Sequence, residues 1–178
     1  MTLLARVVDA LRSREIPHCL IGAAALAAHG VSRSTQDIDL LAADPAALSD
    51  MTWAELKNAG VSVDVRPGDS TDPLAGVVRL QSPEEDVVDV VVALAPWHRA
   101  LIGRARAVRL EDLELPVAEA ADIILLKLYA GGPQDMWDIQ QLLGTARGHR
   151  IAADVDARLG DLPAEHRRLW DSIRGTRG

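Results

Sequence analysis

Apolar positions change their spacing along this chain, and each change marks an element. Residues 2–14 are predicted to form an amphipathic helix carrying Arg6 and Asp9, closed by the Ile16-Pro17 break. His18 to Ile21 is a short apolar strand, Gly22 follows it, and Ala23 to His29 favours a helix ended by Gly30. The turn Val31-Ser32-Arg33-Ser34 leads into a strand over Asp37–Ala42. Asp44 before Pro45 reads as an N-cap, opening a helix that runs in pieces to Ala59 and stops at Gly60. Val61 to Val65 alternates as a half-exposed strand does, Pro67-Gly68-Asp69 is loop, and Gly76–Leu80 is a further strand. Val87–Val92 is a β-branched run with one acid inside it, and short strands are expected near 106–110 and 113–117. From Ala118 onward the period is helical: Glu119–Ala130, then Pro133–Gly144 after the Gly131-Gly132-Pro133 break, then 152–160 and 163–174. The pattern predicts an α/β (α+β) fold, with a mixed core over 1–117 and a helical part over 118–178 packed on it as one compact unit.

Within the Asp37–Ala42 strand, Asp37 and Asp39 are two residues apart and share a face, roughly 7 Å from each other at ~3.3 Å rise per residue. Two acids aimed together repel, and a divalent cation removes that cost. Asp89 is a third acid, isolated in an apolar strand where burial is unfavourable unless it is paired or coordinated. If its strand neighbours the first at ~4.8 Å, three carboxylates meet. The competing expectation is that Asp89 faces solvent on an edge strand. Upstream, Gly22 lets backbone N–H groups approach a phosphate or simply makes a turn. Arg33 and Thr35 are placed to hold phosphate oxygens, or Arg33 forms a surface ion pair.

Lysine is scarce: Lys57 and Lys127 stand against 17 arginines. Lys127 lies among Ile123, Ile124 and Ala130 on a helix, so its ammonium requires an anionic partner or snorkels at the core edge. Asp135 sits in the first turn of the next helix and Asp138 one turn further on, with Trp137 expected between them as a core anchor. The five histidines are scattered without zinc spacing, and none accompanies a nucleophilic serine.

Composition narrows the classes. The 178 residues are 48% hydrophobic and 25% charged, which is globular rather than disordered. Phe is absent and aromatics reach only 3%, so stacking platforms for single-stranded nucleic acid are not expected. A net charge of -7 argues against broad nonspecific DNA binding; the clusters Arg99–Arg109, Arg147–Arg150 and His166–Arg168 read as solvated surface, with a local RNA-binding patch as the alternative. Cys19, the single cysteine, reads as a buried small hydrophobe. No apolar run approaches the ~20 residues of a membrane span, and the expectation is a cytoplasmic protein with no membrane partner.

Taken together, Leu20-Ile21-Gly22-Ala23, Arg33-Ser34-Thr35-Gln36-Asp37-Ile38-Asp39, Val88-Asp89-Val90-Val91, Leu126-Lys127-Leu128 and Gln134-Asp135-Met136-Trp137-Asp138 resemble the minimal nucleotidyltransferases of the DNA polymerase beta superfamily. The branch with abortive-infection type IV toxin components is the most similar. The likeness runs over roughly residues 16–143. It implies a mixed sheet flanked by helices, Mg²⁺ (or Mn²⁺) on Asp37, Asp39 and Asp89, and triphosphate held at Gly22, Ala23, Arg33 and Thr35. It also implies that Lys127, with Asp135 or Asp138, closes the site, and that these two acids take part in nucleotide binding. The implied partners are a nucleoside triphosphate such as ATP, an RNA or protein acceptor, and a cognate antitoxin. Two departures stand out: the family often carries Gly or Ser where Ala23 stands, and Gly131-Gly132-Pro133 lacks an arginine common in relatives. The expected activity is metal-dependent nucleotidyl transfer. A degenerate nucleotide-binding or antitoxin-like interaction protein and a metal-dependent phosphodiesterase are the competing readings.

Overall fold

The computed structural model describes residues 1–32, 37–69, 72, 74–110 and 112–175. Helix α1 (Leu3–Ser13) is capped by Thr2, whose hydroxyl accepts from the Ala5 N–H, and buries Leu3, Val7, Val8 and Leu11 along one stripe. Strand β1 (His18–Ile21) runs straight into α2 (Gly22–Ala28), and β2 (Asp37–Ala42) follows. The segment after Asp44 forms two 3₁₀ turns, Pro45–Leu48 and Asp50–Thr52, and then α3 (Ala54–Asn58). The Asp44 carboxylate accepts from the Ala46 N–H at 2.8 Å, as the N-cap pattern predicts. Strands β3 (Ser62–Pro67), β4 (Gly76–Gln81) and β5 (Val87–Val92) precede α4 (Pro96–Arg104), β6 (Arg106–Leu110) and β7 (Leu113–Val117). The remaining helices are α5 (Ala120–Ala130), α6 (Pro133–Gly144), α7 (Gly148–Arg158) and α8 (Ala164–Gly175).

The strands join one mixed seven-stranded sheet in the order β3-β4-β5-β2-β1-β7-β6. Only β2 with β5 and β1 with β7 pair parallel; the other neighbours are antiparallel. Alternation gives the central strands two unlike faces. Val78, Leu80, Val88, Val90 and Val92 are buried on one side, while Val77, Arg79, Val87, Asp89 and Val91 are only half-buried on the other. Cys19, at the middle of β1, is fully buried, as its apolar neighbours predict.

The chain divides into two compact units. One holds Met1–Ala25 and Ser34–Ala118; the other holds Leu26–Arg33 and Glu119–Gly178. In the second unit, α6, α7 and α8 each pack on α5, whose Ile123, Ile124, Leu125 and Leu128 are buried. Gly131, at φ +70°, ends α5 in the left-handed conformation that a residue with a Cβ adopts only at a cost. No described helix is long and apolar enough to cross a membrane.

Candidate active site

The chemistry-bearing side chains of the sheet lie on its half-open face. Register makes the arrangement: Asp39 is opposite Asp89 across the parallel β2–β5 pair, and Asp89 is opposite Arg79 across the antiparallel β4–β5 pair. A row Asp39, Asp89, Arg79 therefore crosses three strands, with Asp37 two residues back along β2 on the same face. Asp89 does neighbour the first two acids, and β5 is an interior strand of the sheet. Its carboxylate is 16% exposed.

Arg79 is the residue that sequence reasoning missed. Its Nη1 donates to Asp89 Oδ2 at 2.7 Å, and its Nη2 reaches Asp37 Oδ2 at 3.4 Å. One guanidinium thus bridges acids from two strands, which its planar fork permits. The alternation of Val77, Val78, Arg79 and Leu80 displays an arginine on a strand face, but only register reveals what it faces. Burial pushes the Asp89 carboxyl above the usual carboxylate range; Arg79 opposes that shift and the Asp37 charge reinforces it. The ion pair therefore offsets only part of the desolvation.

Asp39 is positioned by Gly22. Ile21, the last residue of β1, is opposite Asp39 in the antiparallel β1–β2 pair, and Gly22 follows it at φ +64°. A Cβ built on Gly22 would stand 2.0 Å from Asp39 Oδ2 and 2.9 Å from Asp39 Cβ. The carboxylate thus occupies the space a side chain at 22 would take. Next to it, Ala23 is 2% exposed, so its methyl belongs to the core. Arg33 and Thr35, with Ser34 and Gln36, lie outside the described residues.

The acid set suits a hard cation in its chemistry, since all the donors are carboxylate oxygens. Asp89 Oδ1 is buried without a hydrogen-bond partner among the described residues, and such an atom is normally satisfied. Mg²⁺ therefore fits the donors that are present. Even so, no group of three or more His, Cys, Asp or Glu side chains among the described residues is close enough together to hold an ion. Arg79 bridges two of the acids, and the third lies against Gly22. Beside Arg79 and Asp89 opens a cleft of about 320 Å³, lined also by Arg66, Gly68, Asp72, Leu74 and Val77. Arg66 in turn pairs with Asp64 at 2.6 Å.

The helical unit carries its own charged cluster. Lys127 Nζ is 3.1 Å from Asp135 Oδ1 and 2.5 Å from Asp138 Oδ2. The ammonium found the anionic partners its apolar surroundings demand, rather than snorkelling to water. Asp135 Oδ2 also accepts from the Gly132 N–H at 3.0 Å, tying the break between α5 and α6 to the start of α6. Asp138 is fully buried and Trp137 is 43% exposed, so Trp137 is not the core anchor its size suggests. The face of α6 toward α5 is taken by the acid that neutralises Lys127, which turns the neighbouring indole outward. A second buried pair has no precursor in the sequence reading: Arg158 of α7 binds Asp122 at 2.8 Å and Glu119 at 2.6 Å.

No family model and no curated protein matches this chain by sequence. Solved structures do. The solution structure of the antibiotic-resistance factor ANT(2'')-Ia is similar over 93% of this chain and 96% of that one, with a TM-score of 0.53 at 16% identity. The crystal structure of a putative nucleotidyltransferase from Thermotoga maritima is similar over 79% of this chain and 90% of that one, with a TM-score of 0.54 at 18% identity. The chain has a nucleotidyltransferase-like fold, a mixed sheet with helices, as the resemblance implies.

Proposed function

We propose that the protein is a cytoplasmic Mg²⁺-dependent nucleotidyltransferase that moves a nucleoside monophosphate from a nucleoside triphosphate to an acceptor hydroxyl. The observation that carries this reading is the register of Asp39 opposite Asp89, with Asp37 on the same face of β2. Asp37, Asp39 and Asp89 are the residues that would hold Mg²⁺, which when bound neutralises phosphate oxygens and favours the deprotonated acceptor. Gly22 keeps the approach to Asp39 free of side-chain bulk. Asp89, the most buried of the acids beside the cleft, takes the proton of the attacking hydroxyl. The acceptor oxygen bonds to the α-phosphorus as the bond to the bridging oxygen breaks, and pyrophosphate departs with that electron pair. RNA or protein as acceptor, and a cognate antitoxin as partner, follow from the resemblance to toxin-like relatives.

The test incubates purified protein with each α-labelled nucleoside triphosphate, Mg²⁺ and RNA, protein or small hydroxyl acceptors. Label joined to an acceptor, lost by at least ~10²-fold in Asp37→Asn and Asp39→Asn, is the expected result. Label released as free nucleoside monophosphate, with none joined to an acceptor, would instead identify hydrolysis at the same acids. Binding without turnover would identify a nucleotide-binding module, and either outcome overturns the proposal.

A further inference from the structure

The position of Arg79 assigns it a task beyond holding strands together. We propose that Arg79 is a built-in counter-cation, which occupies the acid cluster in the metal-free protein and which a divalent ion must displace. This rests on the metal-binding part of the reading above, and it makes Arg79 a positioning residue that sets how readily the site loads.

Two observations support it. First, Arg79 contacts Asp37 and Asp89 together, at 3.4 and 2.7 Å, so a single guanidinium screens carboxylates that register forces onto one face. Like charges at this spacing are unfavourable without a cation between them. Second, Arg79 uses Asp89 Oδ2 while the buried Oδ1 has no hydrogen-bond partner among the described residues. The pairing thus leaves one oxygen unsatisfied that a metal would employ. Arg79 itself is 33% exposed and borders the cleft, which leaves its guanidinium somewhere to go when released.

The consequence is competition. Removing the guanidinium eliminates both the occupant of the site and its repulsion of an incoming cation, and both changes tighten metal binding. Arg79→Gln should bind Mn²⁺ roughly tenfold more tightly than the wild type, about what one charge-assisted contact is worth in an equilibrium constant. Arg79→Lys keeps the charge but cannot bridge both acids, and its affinity should fall between the two.

Mn²⁺ binding is measured without nucleotide by the loss of the free-ion paramagnetic resonance signal. Melting temperatures are recorded with and without the ion. Arg79→Gln should be less stable than wild type in chelator and gain more from Mn²⁺. If wild type binds Mn²⁺ and Arg79→Gln binds it no more tightly, this inference falls while the metal site stands. If neither protein binds, the metal-dependent reading falls with it. Should the variant fail to fold, the wild type decides: the side-chain Nε–H resonance of Arg79, followed during a Mg²⁺ titration, shifts and exchanges faster if the guanidinium is released. An unmoved resonance in a metal-loaded protein overturns the proposal.

Discussion

Asp39 lies against the backbone of Gly22 so closely that a methyl group at 22 would stand 2.0 Å from its Oδ2. The contact ties the junction between β1 and α2 to the carboxylate that lies opposite Asp89. It makes the glycine part of the site without giving it any chemistry of its own.

Gly22→Ala should therefore damage both stability and transfer. The left-handed backbone at φ +64° costs a non-glycine residue about 1–2 kcal/mol. Rotating the carboxylate away does not relieve the overlap, because Asp39 Cβ itself would be 2.9 Å from the new atom. Chemical denaturation should show a loss of about 2 kcal/mol or more. A variant with wild-type stability and wild-type metal affinity would show that Asp39 is not held in this way.

Lys127→Met should cost about 3–5 kcal/mol in urea denaturation, because it removes the ammonium that stands 2.5 Å from the fully buried Asp138 carboxylate. Gln134, 3.4 Å from Asp138 Oδ1, is too weak a donor to replace it. The double variant Lys127→Met/Asp138→Leu should recover most of the loss, since it removes both charges together. A single-variant loss below about 1 kcal/mol would mean the pair is solvated rather than buried.

His98, on α4, is 1% exposed, and burial lowers its pKa from 6.5 to about 4. Between those values the unfolded chain binds a proton that the folded chain does not. Stability therefore falls as pH drops from 6.5 toward 4 and levels below that, by up to about 3 kcal/mol from this residue. His18, also lowered by burial, adds in the same direction. The difference between wild type and His98→Gln, measured by denaturation across that range, isolates the effect from titrating carboxylates. Parallel stability profiles for the two proteins would contradict it.

Much of the fold was legible because its signals are local. Asp37–Ala42 and Pro133–Gly144 form with the predicted bounds, since Pro and the turn residues around them punctuate the chain. Helix α4 was not anticipated, although Pro96 at its start and the buried Trp97 and Leu101 four residues apart carried the signal. Trp137 went the other way, because its orientation depends on which neighbour Lys127 selects. Of the candidate site, the two acids of β2 needed only the two-residue period of a strand. Arg79 needed the pairing of β4 with β5, a relation between segments that no window along the chain contains.

The sequence by itself determined most of the helices and strands, α4 excepted, that Asp37 and Asp39 share a face, and that Lys127 must either meet an acid or snorkel to water. Each follows from backbone period or from the cost of an unpaired charge in apolar surroundings. Tertiary structure alone decided that Asp89 stands opposite Asp39, that Arg79 bridges two of the acids, that Asp39 rests on Gly22 and that Asp122 and Asp138 are wholly buried. Strand order and register are set by the summed burial of a whole sheet, and the partner of a charge is whichever group that packing brings within reach.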